Sequence, residues 1–514
     1  MGFKTLSLKL PPDFSPELLR KQIERNLRIK DFSFQIENKS LDARKKTNIF
    51  WQVRVVVDSP EIKGGEVPVD EKLEIPFRKR KEQVVAVGSG PAGFFAALIL
   101  QKAGFNVTLI ERGSDVGKRA KFISAFENTG KFDAQNNYAF GEGGSGTFSD
   151  GKLTSRSKRI SKEKNFIVDN YIEAGAPAEI AYMTHPHLGT DNLRKIVKNL
   201  RKAFENRGGK VLFETLLEDI VIKNSKVTEV VTSQGILPAG ALFIAPGHSA
   251  YETYRMLMRR GVQFRTKNFA IGSRMEHRQE VINLAQWGKE KLPGVKAAEY
   301  RITSPADGKH QVFSFCMCPG GMVVPAAAYP ETNIVNGMSY YRRSGKFANA
   351  ACVAGIHPDE LAGKTVSPGK ALQIVEKLEQ KFYSLTSNYK APICSIEDFL
   401  RQTTRKNQFE SSYPLGLNSM PIWELLPSPV VLSIQEGLKD FVRKMRGFET
   451  GNLIGLESKT SSPIQVLREK NGLCTGFENL YFIGEGSGYA GGIISSGADG
   501  IKAAMNYAEK RLGH

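Results

Sequence analysis

The sequence predicts an α/β fold built around a parallel sheet, and three observations carry this prediction. A short buried strand at residues 83–87 runs into the turn Gly88–Gly93, which has the spacing G-x-G-x-x-G. An apolar helix-like run follows at 94–100. A second strand at 106–110 then ends at Glu111. This order is typical of the first half of a Rossmann-type nucleotide-binding domain.

The residues of the turn match the needs of a dinucleotide. Gly88 permits the tight turn, Gly90 lets the backbone approach a pyrophosphate, and Gly93 lets the helix pack closely on the strand. Pro91 and Ala92 complete the motif at the start of the helix. The free N–H groups and the positive dipole end of that helix favour phosphate.

The acid at the end of the second strand indicates which nucleotide is bound. Glu111 can accept hydrogen bonds from a ribose diol and would repel a 2′-phosphate. We expect Arg112 and Arg119, which follow it, to contribute to cofactor binding as well. A transmembrane helix over 84–100 is the alternative interpretation. The glycines and proline at its start, and an apolar span shorter than about 20 residues, count against it.

Length and composition are those of a globular protein of several domains. The chain has 514 residues, of which 41% are hydrophobic and 24% charged. The five cysteines are an odd number in a long chain, which argues against a disulfide framework and for a reducing compartment. The amino terminus lacks the basic-then-apolar layout of an export signal, so we expect a cytoplasmic location.

The net charge of +19 favours anionic partners, including nucleotides, acidic substrates, nucleic acid and anionic membrane surfaces. The densest basic run is Lys152–Lys164. No named RNA-binding motif accompanies it, so a small-molecule substrate is favoured over nucleic acid. The sequence leaves the oligomeric state open.

The pattern along the chain predicts an interrupted nucleotide-binding domain with two additions. Residues 1–80 have a β-α-β-β order, which suggests a small ferredoxin-like α+β domain. The nucleotide-binding domain is expected in three parts, at 81–155, 190–264 and 451–514. Residues 156–189 form an insertion in it, and residues 265–450 form a large inserted α+β substrate domain.

The carboxyl-terminal segment favours a flavin as the resident ligand. A strand ending in Gly484-Glu485, followed by a helix that opens at Gly491-Gly492-Ile493, resembles two-domain flavoproteins of the glutathione-reductase/hydroxylase type. In those proteins an aspartate in place of Glu485 binds the ribityl chain, and the helix N-terminus faces the isoalloxazine. Ala245-Pro246-Gly247 likewise resembles the Ala-Thr-Gly turn that closes over FAD.

The chain also resembles one particular family, the poorly characterised FAD-dependent dehydrogenases sometimes called NAD-utilising dehydrogenases. The resemblance runs nearly end to end and is carried by the strings Ser40–Lys46, Phe140–Leu153, His187–Asp191, Gly247–Ala250, Cys316–Gly321, Asn336–Ser339, Thr460–Pro463 and Gly488–Ile493. It implies FAD as the cofactor. No second G-x-G-x-x-G occurs in residues 265–450, so NADH or NADPH as electron donor would dock transiently.

Two departures from the family pattern concern charge. Tyr251-Glu252 stands where the family usually has Arg-Asp, and Lys459 and Gln465 stand where two arginines usually flank Thr-Ser-Ser-Pro. The changes remove arginines, whose guanidinium groups can form paired, charged hydrogen bonds to a ligand. They therefore affect the expected substrate specificity and not FAD binding.

The loop from Gly143 to Lys152 is the best candidate for the region beside the flavin ring. Its glycines, Gly143, Gly144 and Gly146, would lie along the isoalloxazine, as in related flavoproteins. Ser149, Asp150 and Lys152 would supply a hydroxyl, a carboxylate and a cation, and the cation could stabilise a reduced flavin or an acidic substrate. A purely structural glycine loop with solvated charges is the alternative.

Cysteine and histidine supply the other candidates. Cys316 and Cys318 would share one face of a strand. Extended backbone separates their Cα atoms by about 7 Å, so a structural or substrate-lining role for Cys318 is favoured over a redox pair. His248 follows the turn that resembles the FAD-closing element, so it is a candidate to line the active site. No cluster with ligand spacing indicates a metal site.

The sequence therefore predicts a cytoplasmic FAD-dependent oxidoreductase. It would transfer a hydride between flavin N5 and an organic substrate. The positive net charge favours an acidic substrate. Two alternatives are an RNA-associated flavoprotein that uses its basic surface and a non-catalytic flavin-binding scaffold.

Overall fold

The structure, a computed structural model, describes residues 2–65, 71–155, 157, 159–386, 388–405 and 408–512. Arg156 and Lys158 of the predicted basic run lie outside the described residues. The helices and strands, in chain order, are β1 (Gly2–Leu10), α1 (Pro16–Leu27), β2 (Ser33–Asp42), β3 (Phe50–Ser59), β4 (Gln83–Val87), α2 (Pro91–Lys102), β5 (Asn106–Ile110), α3 (Val116–Thr129), α4 (Ser161–Glu173), α5 (Gly189–Asn206), β6 (Lys210–Leu212), β7 (Leu217–Lys223), β8 (Lys226–Thr232), β9 (Gly235–Pro238), β10 (Ala241–Ile244), α6 (Tyr251–Arg259), β11 (Phe264–Thr266), β12 (Phe269–Arg278), α7 (Gln279–Trp287), β13 (Thr303–Ser304), β14 (Val312–Pro325), β15 (Val335–Met338), β16 (Phe347–Ile356), α8 (Pro358–Ala362), α9 (Pro368–Thr386), β17 (Ala391–Ser395), α10 (Ile396–Arg401), β18 (Leu417–Ser419), α11 (Ile422–Leu425), α12 (Ser428–Lys444), β19 (Asn452–Glu457), β20 (Ile464–Val466), β21 (Leu480–Phe482) and α13 (Ile493–Lys510).

The amino-terminal unit is a three-stranded antiparallel sheet in the order β1-β3-β2, with α1 connecting β1 to β2. This is the split β-α-β order of a ferredoxin-like domain. The second helix and fourth strand of a complete ferredoxin-like domain are absent from the described residues 2–65. Val53, Val55 and Val57 of the central strand β3 are fully buried and form the core of the unit.

A five-stranded parallel sheet in the order β21-β10-β4-β5-β6 forms the nucleotide-binding part, as the sequence predicts. Helix α2 follows the glycine turn, and all its residues from Ala92 to Leu100 are buried. Helix α13 packs against α2 so closely that a Cβ at Gly500 would overlap the carbonyl oxygen of Ala92. The strands read as continuous apolar runs because helices cover the sheet.

The second large sheet has eight strands and lies in the carboxyl-terminal half of the chain. Its path is β13-β14-β16-β12-β19-β17-β18, and β15 pairs with β14. Strand β19, residues 452–457, is an interior strand of this sheet. The predicted boundary at 450 therefore cuts off a strand that belongs to the substrate domain, and we move that boundary to the segment between β19 and β20.

None of the helices in the described parts of the chain combines the length and the apolar character needed to cross a membrane.

Candidate active site

Two close contacts between backbone segments determine the shape of the turn between β4 and α2. Gly88 has a φ of +90°, and a Cβ there would overlap the carbonyl oxygen of Ala245. A Cβ at Gly93 would overlap the carbonyl oxygen of Gly88. At Gly90 the nearest atom to such a Cβ is Gly144 Cα, 3.8 Å away. The protein itself therefore requires glycine at 88 and 93, whereas at Gly90 a Cβ would make only an ordinary van der Waals contact.

Glu111 joins this turn to the glycine-rich loop. Its side chain is buried; one carboxylate oxygen accepts hydrogen bonds from Ser89 N and Ser89 Oγ, at 2.9 and 2.7 Å. The other oxygen accepts from Gly113 N and Gly141 N, at 3.0 and 3.1 Å. Four protein donors already fill the carboxylate. A ribose hydroxyl at Glu111 would displace the Ser89 hydroxyl, which is the donor that can rotate away.

The two arginines expected to bind cofactor differ in their surroundings. Arg119 is fully buried, and its guanidinium donates to five main-chain carbonyls, those of Asn137, Tyr138, Gly141, Glu142 and Gly144. Burial lowers the pKa of Arg119 to about 10. Its predicted role is corrected accordingly: it orders the glycine-rich loop and acts on a cofactor only through that loop.

Arg112 lies nearer to open space. Its guanidinium pairs with Glu252 and stacks on the ring of Phe140. Its buried Nε has no hydrogen-bond partner among the described residues. Cofactor binding by Arg112 remains a prediction.

Three segments that are distant in the sequence meet at the predicted cofactor site. Gly144 faces Gly90 so closely that a Cβ at Gly144 would lie 3.1 Å from Gly90 Cα. A Cβ at Gly146 would lie 3.2 Å from the side chain of Ile493. A cleft beside them, partly open to solvent, is lined by Ser89, Pro91, Gly143, Gly146 and Ile493 together with apolar side chains of α2 and α5.

The carboxyl-terminal segment completes the site. A Cβ at Gly484 would lie 2.5 Å from Ala92 Cβ, so this turn packs on the start of α2. The hydroxyl of Tyr254 donates to the carbonyls of Gly486 and Gly247, at 2.7 and 3.1 Å, and so joins the two segments. The structure thus brings the turn that includes Ala245 and Gly247 against the turn at 484–486.

Glu485 and His248 face each other at this end. Their Oε1 and Nδ1 atoms are 3.4 Å apart. Burial raises the pKa of Glu485 to about 7, although the N–H of Gly492 donates to its carboxylate. Burial lowers the pKa of His248 to about 3. At neutral pH His248 is therefore an uncharged hydrogen-bonding group.

The residues present fit FAD. A Cβ at Gly247, Gly491 or Gly492 would have no neighbour within 4 Å. Together with Gly90, these positions leave room for a ligand both at the turn after β4 and at the turns that include Gly247 and Gly491-Gly492. Helices α2 and α13 begin after glycine caps that make no side-chain hydrogen bond, so their first N–H groups are available to anionic groups.

Beside the site lies a buried ionic cluster around Asp150. Its carboxylate accepts from Arg343 Nε and Nη2, at 3.0 and 2.6 Å, from Lys152 Nζ at 2.5 Å, and from the hydroxyl of Ser339. Burial opposes ionisation, but the charges of Lys152 and Arg343 outweigh it and hold the pKa of Asp150 below its usual range. Asp150 is therefore a permanent anion that anchors two cations, which corrects its predicted catalytic role.

The predicted role of Ser149 is corrected for a similar reason. Its hydroxyl donates to the carbonyl of Gly146 at 2.7 Å and accepts from Gly151 N at 3.0 Å, so it closes a turn of the loop. Lys152, the third member of the predicted trio, is only partly buried. Its ammonium also donates to the carbonyl of Met317 in β14, and its side chain is 29% exposed.

The cysteines differ from the expectation because β14 is not extended where they lie. The register with β16 shifts between Phe315 and Cys318, and Cys316 has a φ of +45°. The bulge brings the two thiols into hydrogen-bonding contact. Cys318 is fully buried, whereas Cys316 is partly exposed. The argument from a separation of about 7 Å does not apply to this backbone.

Sequence reasoning missed several residues of the site. Arg343, Glu299 and Arg274 come from distant strands and loops and lie in no motif that would single them out. Ser339, by contrast, lies in the string Asn336–Ser339, which is one of the strings that carry the family resemblance. No group of three or more His, Cys, Asp or Glu in the described ranges could hold a metal ion.

Comparisons with known proteins agree with this division of the chain. A family model described as "FAD-dependent protein, C-terminal domain-like" matches residues 268–460, which span β12 to β19. A model of an NAD(P)-binding Rossmann-like domain matches 87–145, and a domain of unknown function matches 3–58. An uncharacterised protein of Clostridium beijerinckii is 38% identical, over 99% of both chains.

Solved structures with some similarity include glycine oxidase from Bacillus cereus, with 14% identity, a TM-score of 0.32, and coverage of 84% of this chain and 96% of that one. L-proline dehydrogenase from P. horikoshii shows 12% identity, a TM-score of 0.35, and coverage of 84% and 94%. From the end-to-end match to the Clostridium protein and the two domain models, the chain belongs to that protein's family and is an FAD-dependent oxidoreductase.

Proposed function

We propose that the protein transfers a hydride between N5 of its FAD and an organic acid bound beside Lys152. One observation carries the proposal. Lys152 spans from the glycine-rich loop to the carbonyl of Met317 in β14, next to Cys316. The carboxyl of Glu485, expected at the ribityl chain, interacts electrostatically with the same Cys316. The ammonium therefore contacts the strand that carries Cys316, and Glu485 lies within electrostatic range of the same cysteine.

Charge around Lys152 supports an acidic substrate. Lys152, Arg343 and His185 surround the carboxylate of Glu299, with N···O distances of 4.0, 3.4 and 2.8 Å. The hydrogen bond to Glu299 raises the pKa of His185. Once His185 is protonated, these three cations exceed the two carboxylates, Asp150 and Glu299. A substrate carboxylate would balance the excess charge.

The protein's own residues would bind and orient, while the bound FAD supplies the two-electron chemistry. Gly90 and the start of α2 would hold the pyrophosphate, Glu111 the adenosine ribose and Glu485 the ribityl chain. Lys152 would fix the substrate carboxylate, and Asp150 would hold Lys152 in place. His248, uncharged at neutral pH, would donate or accept a hydrogen bond near Glu485.

The test is anaerobic. The spectrum of the purified, FAD-loaded protein would be followed after addition of NADH or NADPH and then of a panel of organic acids. Bleaching of the flavin by one nucleotide or one acid identifies the electron donor. A protein that neither carries nor binds flavin would contradict the proposal.

A matched pair of variants tests the role of Lys152. Lys152→Met should raise the KM for the acid about tenfold or more at unchanged flavin content, because a charge-assisted contact is lost. Lys118→Met is the control, since Lys118 pairs with Glu214 on the surface. An unchanged KM in Lys152→Met would exclude Lys152 as the carboxylate site.

A further inference from the structure

The sequence Cys316-Met317-Cys318 forms the first of two breaks in the pairing of β14 with β16. The backbone of Cys316 is in the left-handed region, which is rare for residues other than glycine. The pairing of β14 with β16 resumes only at Cys318. The break brings the Cys318 thiol 3.3 Å from the carbonyl oxygen of Cys316 and into contact with the Cys316 thiol. A local conformation of this kind needs support from its surroundings.

The support comes from Arg274 in β12. Its Nη2 donates to the carbonyl of Cys316 at 2.8 Å and lies 3.6 Å from the sulfur of Cys318. The guanidinium is fixed in turn by Asn349 at 2.7 Å and by Glu457 at 2.8 Å. Arg274 is fully buried, so this arrangement places a full positive charge against the thiol pair.

The two thiols are not equivalent. Cys318 is completely buried, whereas Cys316 is partly exposed on the side of Lys152. Some redox-active dithiols combine an accessible sulfur with a buried one. In these the accessible sulfur exchanges with a partner, and the buried sulfur then closes the disulfide. The other three cysteines are buried; Cys352 lies opposite Ser314 on the neighbouring strand β16, and Cys394 and Cys474 lie on other segments of the chain.

The pair lies at the predicted flavin end of the site. Met317, between the two cysteines, accepts a hydrogen bond from Lys152 of the glycine-rich loop. Glu485, next to the start of α13, interacts electrostatically with Cys316. The loop therefore contacts the bulged strand between the two cysteines, and the carboxyl-terminal turn lies within electrostatic range of Cys316.

We propose that Cys316 and Cys318 are a redox-active dithiol that exchanges two electrons with the bound FAD. The inference rests on the proposed function, because it needs a flavin in the site. In the forward direction the Cys316 thiolate and the Cys318 thiol form the Sγ–Sγ bond, the Cys318 S–H bond breaks, and two electrons, this proton and one proton from solvent pass to FAD, which becomes FADH₂. In the reverse direction FADH₂ reduces the disulfide and FAD is restored.

The electrostatics around Cys316 agree with this role. The hydrogen bond from Cys318 lowers the pKa of Cys316, burial opposes the shift, and the charges of Arg274 and Lys152 reinforce it, to a value of about 6. The pKa of Cys318 is raised by the same hydrogen bond and by burial. One sulfur is therefore a thiolate at neutral pH while the other keeps its proton.

The first experiment counts thiols and needs no turnover. The FAD-loaded protein is treated with a mild oxidant, denatured, alkylated with iodoacetamide and analysed by mass spectrometry. We expect loss of two alkylation sites, with the disulfide mapped to residues 316 and 318. Retention of all five thiols would overturn the proposal.

The second experiment is a reductive titration of the oxidised, FAD-loaded protein with dithionite. Wild type should consume four electrons per FAD, two for the flavin and two for the disulfide. Cys316→Ser and Cys318→Ser should consume two. Cys394→Ser, altered at a buried cysteine of β17, should still consume four. Wild-type uptake of two electrons overturns the dithiol alone. A protein that binds no flavin overturns the proposed function as well.

Discussion

The two large sheets of this protein use a buried arginine in different ways. In the nucleotide-binding part, Arg119 donates only to main-chain carbonyls of residues 137–144, which are its near neighbours in the sequence. In the eight-stranded sheet, Arg274 binds the side chains of Asn349, Asn336 and Glu457 and the carbonyl of Cys316. These partners come from four separate segments of the chain.

The difference shows how each half is built. The cofactor half is made of local motifs, in which a residue shapes a loop close to it in the sequence. In the substrate half, segments that are distant in the sequence are joined by hydrogen bonds to the buried guanidinium of Arg274. A change in the first half should therefore affect cofactor affinity, whereas a change at Arg274 should affect the fold and the thiols together.

The largest effect is expected for Arg274→Met. It leaves Glu457 buried without its partner, which typically costs about 3–5 kcal/mol of folding free energy. Urea denaturation measures the loss. The double variant Arg274→Met/Glu457→Leu should recover more than half of it, because no unpaired charge is then buried. A double variant no more stable than the single one would show that the charge is not the cause.

The next effect separates the two glycines of the turn. Gly93→Ala should destabilise the protein by about 1–3 kcal/mol, because its methyl group overlaps the Gly88 carbonyl. Gly90→Ala should change stability by less than about 0.5 kcal/mol, since its methyl group makes only an ordinary van der Waals contact with Gly144. It should still weaken FAD binding at least tenfold, measured by fluorescence titration. Tight FAD binding by Gly90→Ala would remove Gly90 from the pyrophosphate site.

A third prediction concerns the pH dependence of Cys316. Its iodoacetamide rate should rise through pH 6 and level off above it, because the thiolate is the reactive form. Arg274, Lys152 and Cys318 favour the thiolate, whereas Asp150, Glu457 and Glu485 oppose it. Lys152→Met should move the midpoint upward. Cys394 is the internal control, since burial raises its pKa to about 12.

The smallest effect is expected at the edge of the eight-stranded sheet. His310 contacts Asp307 and Glu360, at 3.0 and 2.8 Å, and these carboxylates outweigh burial and raise its pKa. The ion pairs should stabilise the fold fully below about pH 6.5 and lose that effect as pH rises through the raised pKa. His310→Gln should cost at most about 1 kcal/mol at pH 5.5. An equal loss at pH 5.5 and pH 9 would exclude this explanation.

The sequence predicted the nucleotide-binding half in detail because its signals are local. Gly88, Gly93 and Glu111 follow from strand, turn and helix within one short segment. The roles of Asp150 and Ser149 could not be predicted in the same way. Their loop was recognised, but Arg343, which fixes Asp150, comes from a distant segment of the chain, whereas the carbonyl that accepts from Ser149 is that of Gly146 in the same loop.

The bulge in β14 was missed for a related reason. Periodicity along Cys316–Cys318 indicates a strand, and nothing in those residues marks a left-handed cysteine. The conformation depends on Arg274, which comes from another strand. The domain boundary at 450 failed because β19 pairs with strands that precede it by many residues, and such pairing leaves no local pattern.

The packing of α13 on α2 has a consequence for synthesis of the chain. Helix α2 is apolar on nearly every side, and part of that surface is covered only by residues after 492. While the ribosome still adds the intervening segments, α2 has no permanent cover and the parallel sheet lacks β21. The cofactor site can therefore close only after the eight-stranded sheet and α13 have been synthesised, and until then the nascent chain carries an apolar helix without its full cover.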